Sequence, residues 1–173
     1  MQKVLSAFVV ALVGATAPAY AQVSGPLPVP HNQTVSANPF GLVFGWFNAE
    51  YERKLTPATT WGVSGSMFDF DLFEYRNGNA LLRYYPQGAA LKGFFLGGRA
   101  GVYHVAHDDD DPDDDEATFF GAGFELGYTW LMGRDQRIGV SLGAGANRLF
   151  GSDLDGASLT IPTVRIVNVG ISF

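Results

Sequence analysis

The chain has 173 residues, 47% of them hydrophobic, with 22 Gly, 14 Phe and no Cys, a size that suits one domain with a single interior. The lack of Cys excludes a disulfide framework, a thiolate nucleophile and a Cys-bound metal. The formal charge of -6 is concentrated in one place, because 8 of the 17 acids lie between Asp108 and Glu116; the rest is near neutral and offers no basic surface for nucleic acid.

Met1 to Ala21 reads as a cleavable secretory signal, with Lys3 near the start, an apolar run from Val4 to Ala17 and small residues at Ala19 and Ala21 before Gln22. Residues 22 to 31, with three prolines that deny a ladder its donors, read as an extended periplasmic leader. The mature composition is apolar, yet no stretch after Gln22 approaches the roughly 18 uninterrupted apolar residues a spanning helix needs. Alternation carries the apolarity instead.

A first strand is expected over 32 to 43, with a tight turn near Phe44 and Gly45, and a second over 46 to 54 that alternates Phe47, Ala49 and Tyr51 with Asn48, Glu50 and Glu52. The third, 60 to 70, sets Trp61, Val63, Gly65 and Met67 against Gly62, Ser64, Ser66 and Phe68. A loop over Asp69 to Asn77 leads to the fourth, 77 to 86, with Asn79, Leu81 and Arg83 opposite Ala80, Leu82 and Tyr84, ending at Pro86. The fifth, 93 to 106, turns Arg99 and Tyr103 away from Leu96, Ala100 and Val102. After the acidic run, the sixth, 117 to 131, has the clearest pattern: Phe120, Ala122, Phe124, Leu126, Tyr128 and Trp130 share one face while Gly121, Gly123, Glu125, Gly127 and Thr129 share the other. A turn over Met132 to Gln136 leads to the seventh, 137 to 149, and a loop over Gly151 to Ala157 to the eighth, 159 to 173, which ends with Val167, Val169, Ile171 and Phe173 on one face.

This pattern predicts an all-β, eight-stranded antiparallel up-and-down transmembrane β-barrel over residues 32 to 173. An even strand number places both termini on the periplasmic side and the acidic run outside the cell. Hydrocarbon leaves no partner for unpaired backbone groups, so only a helix or a closed barrel can cross it. Trp46, Trp61, Tyr84, Tyr85, Tyr128, Trp130 and Phe173 fall near strand ends, where interfacial aromatic girdles sit. A soluble lipocalin-like barrel would turn its apolar face inward; here the face proposed as inward carries Glu50, Glu52, Arg83, Arg99 and Glu125. These five charges, with Asn147 and Asn168, are expected to form a network that fills the narrow lumen.

Two further chemistries are weighed. Asp108, Asp109, Asp110, Asp111, Asp113, Asp114, Asp115 and Glu116 supply carboxylates for Ca or Mg. They lack the spaced Asp-x-Asp-x-Asp-Gly pattern and are interrupted by Pro112, so loose attraction of divalent cations beside lipopolysaccharide phosphates is the expectation, with no defined cofactor. Hydrolysis needs a base beside a nucleophile; His31 lies in the leader, His104 and His107 border the acidic run, and neither Ser66 nor Ser141 has a histidine nearby in this topology. No catalytic residue is assigned.

The segment NPFGLVFGWFNAEYERKLTPATTWGVSGS, residues 38 to 66, with its NP-x-G-x-x-FG opening, x-EYER-x-L and G-x-S-G, resembles the N-terminal hairpins of small bacterial outer-membrane barrel proteins of unassigned function. The ending TVRIVNVGISF looks like their closing strand, and the terminal Phe173 resembles the signal read by the barrel-assembly machinery. The architecture is similar to the transmembrane domain of the OmpA and OmpX type. The resemblance implies fold and location: a monomeric, non-enzymatic barrel in contact with outer-membrane lipid and lipopolysaccharide, with a structural or surface-interaction role such as envelope integrity or adhesion. Binding or transport of a small molecule or lipid is the alternative, favoured by an open lumen or a lateral gap between strands; lipid A modification, as in the deacylases of this architecture, lacks its His-x-Ser pair here.

Overall fold

The structure, a computed structural model, describes residues 31–70, 73–106, 117–151 and 159–173. The expected signal and the leader up to residue 30, the acidic run of residues 107–116 with its candidate ligands and His107, and most of the Gly151 to Ala157 loop lie outside the described residues. Eight antiparallel strands close in chain order: β1 (Gln33–Ala37), β2 (Trp46–Thr56), β3 (Thr59–Phe70), β4 (Phe73–Tyr84), β5 (Gly93–Ala106), β6 (Ala117–Met132), β7 (Ile138–Phe150) and β8 (Leu159–Ser172), with β1 paired to both β2 and β8.

Alternation decides the two surfaces. Val63, Leu82, Val102, Phe124, Leu142 and Ile171 are exposed on the outside, while Glu50, Glu52, Arg83, Glu125, Asn147 and Asn168 are buried inside. A polar interior beneath an apolar exterior inverts the arrangement of a water-soluble protein and matches a barrel in lipid.

We call the end that carries Phe173 and the β2–β3, β4–β5 and β6–β7 turns the near end. There the first and last residues tie the ring shut: the Asn32 and Gln33 N–H groups donate to the Phe173 carbonyl at 3.0 and 2.9 Å, and the Phe173 N–H donates to Gln33 O at 2.9 Å. His31, expected in a free leader, is buried and donates from Nε2 to the Asp135 carbonyl at 2.8 Å.

Three departures from the expected strands matter for the interior. The first strand stops at Ala37 rather than Val43, because the Asn38 side-chain oxygen accepts from the Phe40 and Gly41 N–H groups at 3.0 Å each and Pro39 has no N–H to give a ladder. A single 3-10 turn, Gly41–Phe44, and Gly45 at φ 73° complete the connection. The loop expected over Asp69 to Asn77 is mostly ladder: pairing continues from Met67↔Arg76 through Phe68↔Tyr75 to Phe70↔Phe73, an aromatic cross-strand pair at Phe68 and Tyr75 favouring the longer hairpin.

The third departure is a bulge in β8. Its register passes from Ser141↔Asn168 to Gly143↔Arg165, so three steps on β8 match two on β7. Strict alternation from Phe173 would put Arg165 outside; the extra residue turns it into the lumen and leaves Val164 on the exterior. Because β1 is short, its ladder with β8 runs only from Thr34↔Ser172 to Ala37↔Val169. Beyond Val169, the backbone ladder of β8 is with β7 alone among the described residues, and the far half of the β1–β8 seam is not laddered.

Candidate functional site

The lumen divides into a plug at the near half and a cavity at the far half. At the near mouth the β4–β5 turn folds inward, held by Tyr85 N–H to Ala58 O at 2.8 Å and Ala90 N–H to Pro57 O at 2.8 Å. Tyr85, Ala90, Leu91 and Phe95 are all buried there, Leu91 at a φ of 75°. A positive φ costs a leucine about a kilocalorie per mole; its burial inside the mouth offsets that cost. Room for Phe95 comes from Gly127 on the neighbouring strand, where a Cβ would stand 2.5 Å from Phe95 Cζ.

Above this apolar stopper lies the ionic centre. Arg83 is 2% exposed and spends its guanidinium on three carboxylates: Nε donates to Glu125 Oε1 at 2.5 Å, Nη1 to Glu50 Oε1 at 2.7 Å and to Glu52 Oε2 at 2.5 Å, and Nη2 to Glu50 Oε2 at 2.9 Å. The same guanidinium lies 4.7 Å from the centre of the Phe95 ring. Glu52 also accepts from Thr60 Oγ1 at 2.5 Å and from the Tyr85 hydroxyl at 2.7 Å. Arg165 makes a second two-pronged contact with Glu50, Nη1 to Oε1 at 3.0 Å and Nη2 to Oε2. Three carboxylates thus share two guanidinium groups, joined across β2, β4, β6 and β8. Planar forks suit this work better than an ammonium would.

Beyond the ionic centre a directed chain of hydrogen bonds crosses the lumen. Asn147 Nδ2 donates to the Tyr103 hydroxyl at 2.7 Å, Tyr103 to Asn79 Oδ1 at 2.5 Å, Asn79 Nδ2 to Asn77 Oδ1 at 2.9 Å and Asn77 Nδ2 to the Tyr75 hydroxyl at 2.9 Å. A cavity of about 170 Å³ lies against this chain, with Arg99, Ser64 and Trp46 among its lining residues.

Of the five charges expected to share the lumen, Glu50, Glu52, Arg83 and Glu125 meet in one cluster. Arg99 faces the lumen but stands apart: it lines the cavity and has no carboxylate partner among the described residues. Arg165, which takes the second cationic place, is hidden from a reading by alternation because only the bulge aims it inward. Two residues expected in the aromatic girdles belong to the interior instead: Tyr85 is fully buried in the plug and Trp46 lines the cavity. Tyr85 shares the parity of Arg83, two residues earlier, so its direction was readable.

The two described histidines lie apart. His31 closes the near end, and His104 contacts Thr118 Oγ1 at 3.2 Å on the outside of the β5–β6 ladder. Ser66 accepts from Asn48 Nδ2 at 2.8 Å and Ser141 lies 3.4 Å from an Arg165 nitrogen. Among the described residues, no group of three His, Cys, Asp or Glu side chains is placed to hold a metal ion.

No protein-family model and no curated protein sequence matches the chain. A solved structure similar to it is the N-terminal β-barrel domain of Pseudomonas aeruginosa OprF, 15% identical, with a TM-score of 0.48 over 83% of this chain and 98% of that one.

Proposed function

We propose that the chain is a non-enzymatic barrel of the bacterial outer membrane whose work is structural or done through its outer loops, in envelope integrity or adhesion. The observation that carries this reading is the plug. Arg83 and its three carboxylates, backed by Tyr85, Leu91 and Phe95, are buried across the near half of the lumen, a packing that opposes general diffusion. The apolar exterior supports a place in lipid. Exposed Trp61, Tyr84, Tyr128, Trp130 and Phe173 ring the near end, as interfacial aromatics do.

In this reading the first 21 residues direct export, Phe173 presents the closing strand to the assembly machinery, and the folded chain is a monomer surrounded by lipid and lipopolysaccharide. The acidic run from Asp108 to Glu116 faces outward and gathers Ca or Mg loosely near lipopolysaccharide phosphates. Calorimetry on the folded protein checks that last element: weak, non-saturating heats are expected, and one saturable site abolished by Asp-to-Asn replacement would replace it with a true metal centre.

The main test combines fractionation with electrophysiology. The protein should sediment with outer membranes, migrate faster in detergent gels before heating than after, and give negligible conductance in a planar bilayer. Soluble periplasmic protein would refute the location, and a stable open channel would refute the plug.

A further inference from the structure

Charge is divided between the two ends of the barrel. The connections that follow β3, β5 and β7, all at the far end, contain 11 of the 17 acids and no Lys or Arg. The near end is the reverse. Five of the 11 Lys and Arg residues lie there: Arg53 and Lys54 at the end of β2, Lys92 in the β4–β5 turn, and Arg134 and Arg137 in the β6–β7 turn. Asp135 is the one acidic side chain in those turns, and residues 22 to 30 carry no charge at all.

These cations are available. Arg53, Lys92, Arg134 and Arg137 are exposed and Lys54 is half-buried. None of the five makes an ion pair among the described residues, whereas Arg83 and Arg165 in the lumen and Arg76 at the far end all do. Lys92 Nζ donates to Gln136 Oε1 at 3.3 Å, which draws the β4–β5 and β6–β7 turns together and sets Lys92 beside the turn that carries Arg134 and Arg137. The Ser172 N–H donates to Arg137 O at 2.7 Å and joins that turn to the end of β8.

Their height matches a lipid surface. The exposed aromatics of the near end, Trp61, Tyr84, Tyr128, Trp130 and Phe173, are of the kind that sits at head-group level. Arg53 is the cross-strand partner of Trp61 and, one residue from the inward Glu52, faces sideways out of the wall. Arg134 is four residues past Trp130; at about 3.3 Å per residue and a tilt of about 40° it stands no more than about 10 Å beyond the aromatic belt. A head-group layer is roughly 5–8 Å deep, within reach of such side chains. A polymer lying beneath the membrane would meet the turn tips alone and leave Arg53 unmatched.

We infer that the near rim is a docking surface for anionic phospholipid head groups of the periplasmic leaflet, with phosphates taken up by Arg53, Lys92, Arg134 and Arg137. A zwitterionic head group brings its own ammonium, which offsets the attraction, so the rim selects lipids of net negative charge. The inference rests on the membrane reading above and names the lipid class and the face that receives it.

The test uses the full mature protein inserted in phosphatidylcholine vesicles that contain a fraction of lipid with brominated chains, either phosphatidylglycerol or phosphatidylcholine. Tryptophan quenching is the readout. Trp46→Phe in every sample leaves Trp61 and Trp130, both in the near belt, as reporters. Brominated phosphatidylglycerol should bind about threefold more tightly than brominated phosphatidylcholine, the scale of an exposed ion pair, and 1 M salt should bring the ratio close to one. Replacing Arg53, Lys92, Arg134 and Arg137 together by Gln should abolish the preference, while Arg76→Gln with Arg148→Gln at the far end should leave it unchanged; heat-modifiable migration verifies that each variant folds. Equal quenching by the two lipids, a preference that survives the fourfold replacement, or one lost equally in the far-end pair would overturn the surface. So would the absence of lipid selectivity together with rim-dependent sedimentation of the protein with cell-wall sacculi, which would assign the cations to the wall polymer. Failure to insert in the vesicles at all would instead refute the membrane reading, so the two failures are distinguishable.

Discussion

The two halves of the lumen are built on the same eight-strand frame with the same inward parity, yet one is filled and the other hollow. The near half has a complete ring of ladders and large side chains facing one another: Arg83, Tyr85 and Phe95 are each buried almost completely. The far half loses β1 after Ala37, and with it the hydrogen bonds that would draw β8 toward β2. What bridges the gap there is side chains, Asn168 Nδ2 to Asn48 Oδ1 at 3.2 Å and Arg165 to Glu50. The contrast teaches that one sheet can carry a satisfied ionic cluster at one end and a cavity lined by unpartnered polar atoms at the other.

If that division holds, the largest effects belong to the near half. Arg83→Met leaves Glu50, Glu52 and Glu125 facing each other with only Arg165 to balance them. Removing one partner of a buried ionic cluster costs about 3–5 kcal/mol. Urea titration of the protein folded in lipid vesicles should show a loss of that order, while Arg99→Met, the equivalent change in the far half, should shift the midpoint little. Equal losses at the two arginines would erase the distinction between the halves.

A loss of intermediate size should follow overpacking of the near mouth. Gly127→Leu brings a side chain against the Phe95 ring, where even a Cβ has no room, and overpacking costs about 1–3 kcal/mol. Gly65→Leu is the control. Gly65 lies at an exterior position of β3 where a Cβ meets a single backbone oxygen at 3.5 Å, and the same titration should move by less than half as much.

Arg165→Met probes the border between the halves. Arg165 holds the far side of Glu50 and spans the seam, but its side chain is 12% exposed against 2% for Arg83. Water can replace part of its role, so a loss of about 2 kcal/mol is expected, the scale of hydrogen bonds to charged groups. A loss matching that of Arg83→Met would mean that the seam contributes as much stability as the plug.

How much of this was legible in the sequence follows from which rule each feature obeys. The strict period of two in β6, from Phe120 to Trp130, placed Glu125 in the lumen, and the same rule placed Glu50, Glu52 and Arg83 there. Arg165 obeys no such rule, because a bulge is a backbone irregularity with no side-chain signature in VRIVNV. The shortness of β1 did have a signal: Asn38-Pro39 is a turn dipeptide. Counting strands by parity stretched the first one across it, since an even number required a strand there without fixing its length. The hollow far half was therefore invisible, as it depends on where β1 ends.

The smallest predicted effect bears most directly on the open seam. The ladder contact of Ser172 N–H with Arg137 O at 2.7 Å fixes which β8 residues aim their N–H groups at β7, and after the bulge that set includes Arg165 and Thr163 but not Pro162. The position of the absent N–H at Pro162 therefore points to the side where β1 would lie in a fully zipped barrel. If that side is open, restoring the donor creates no new bond, and Pro162→Ala should change stability by no more than about 0.5 kcal/mol, as at an ordinary exposed position. If instead β1 or the 38 to 45 connection zips against β8 in the membrane, the new N–H would find a carbonyl and the substitution would stabilise the barrel by about 1 kcal/mol. Amide hydrogen exchange on the Pro162→Ala protein separates the two, since a donor facing the seam exchanges fast when the edge is open and is protected when it is paired.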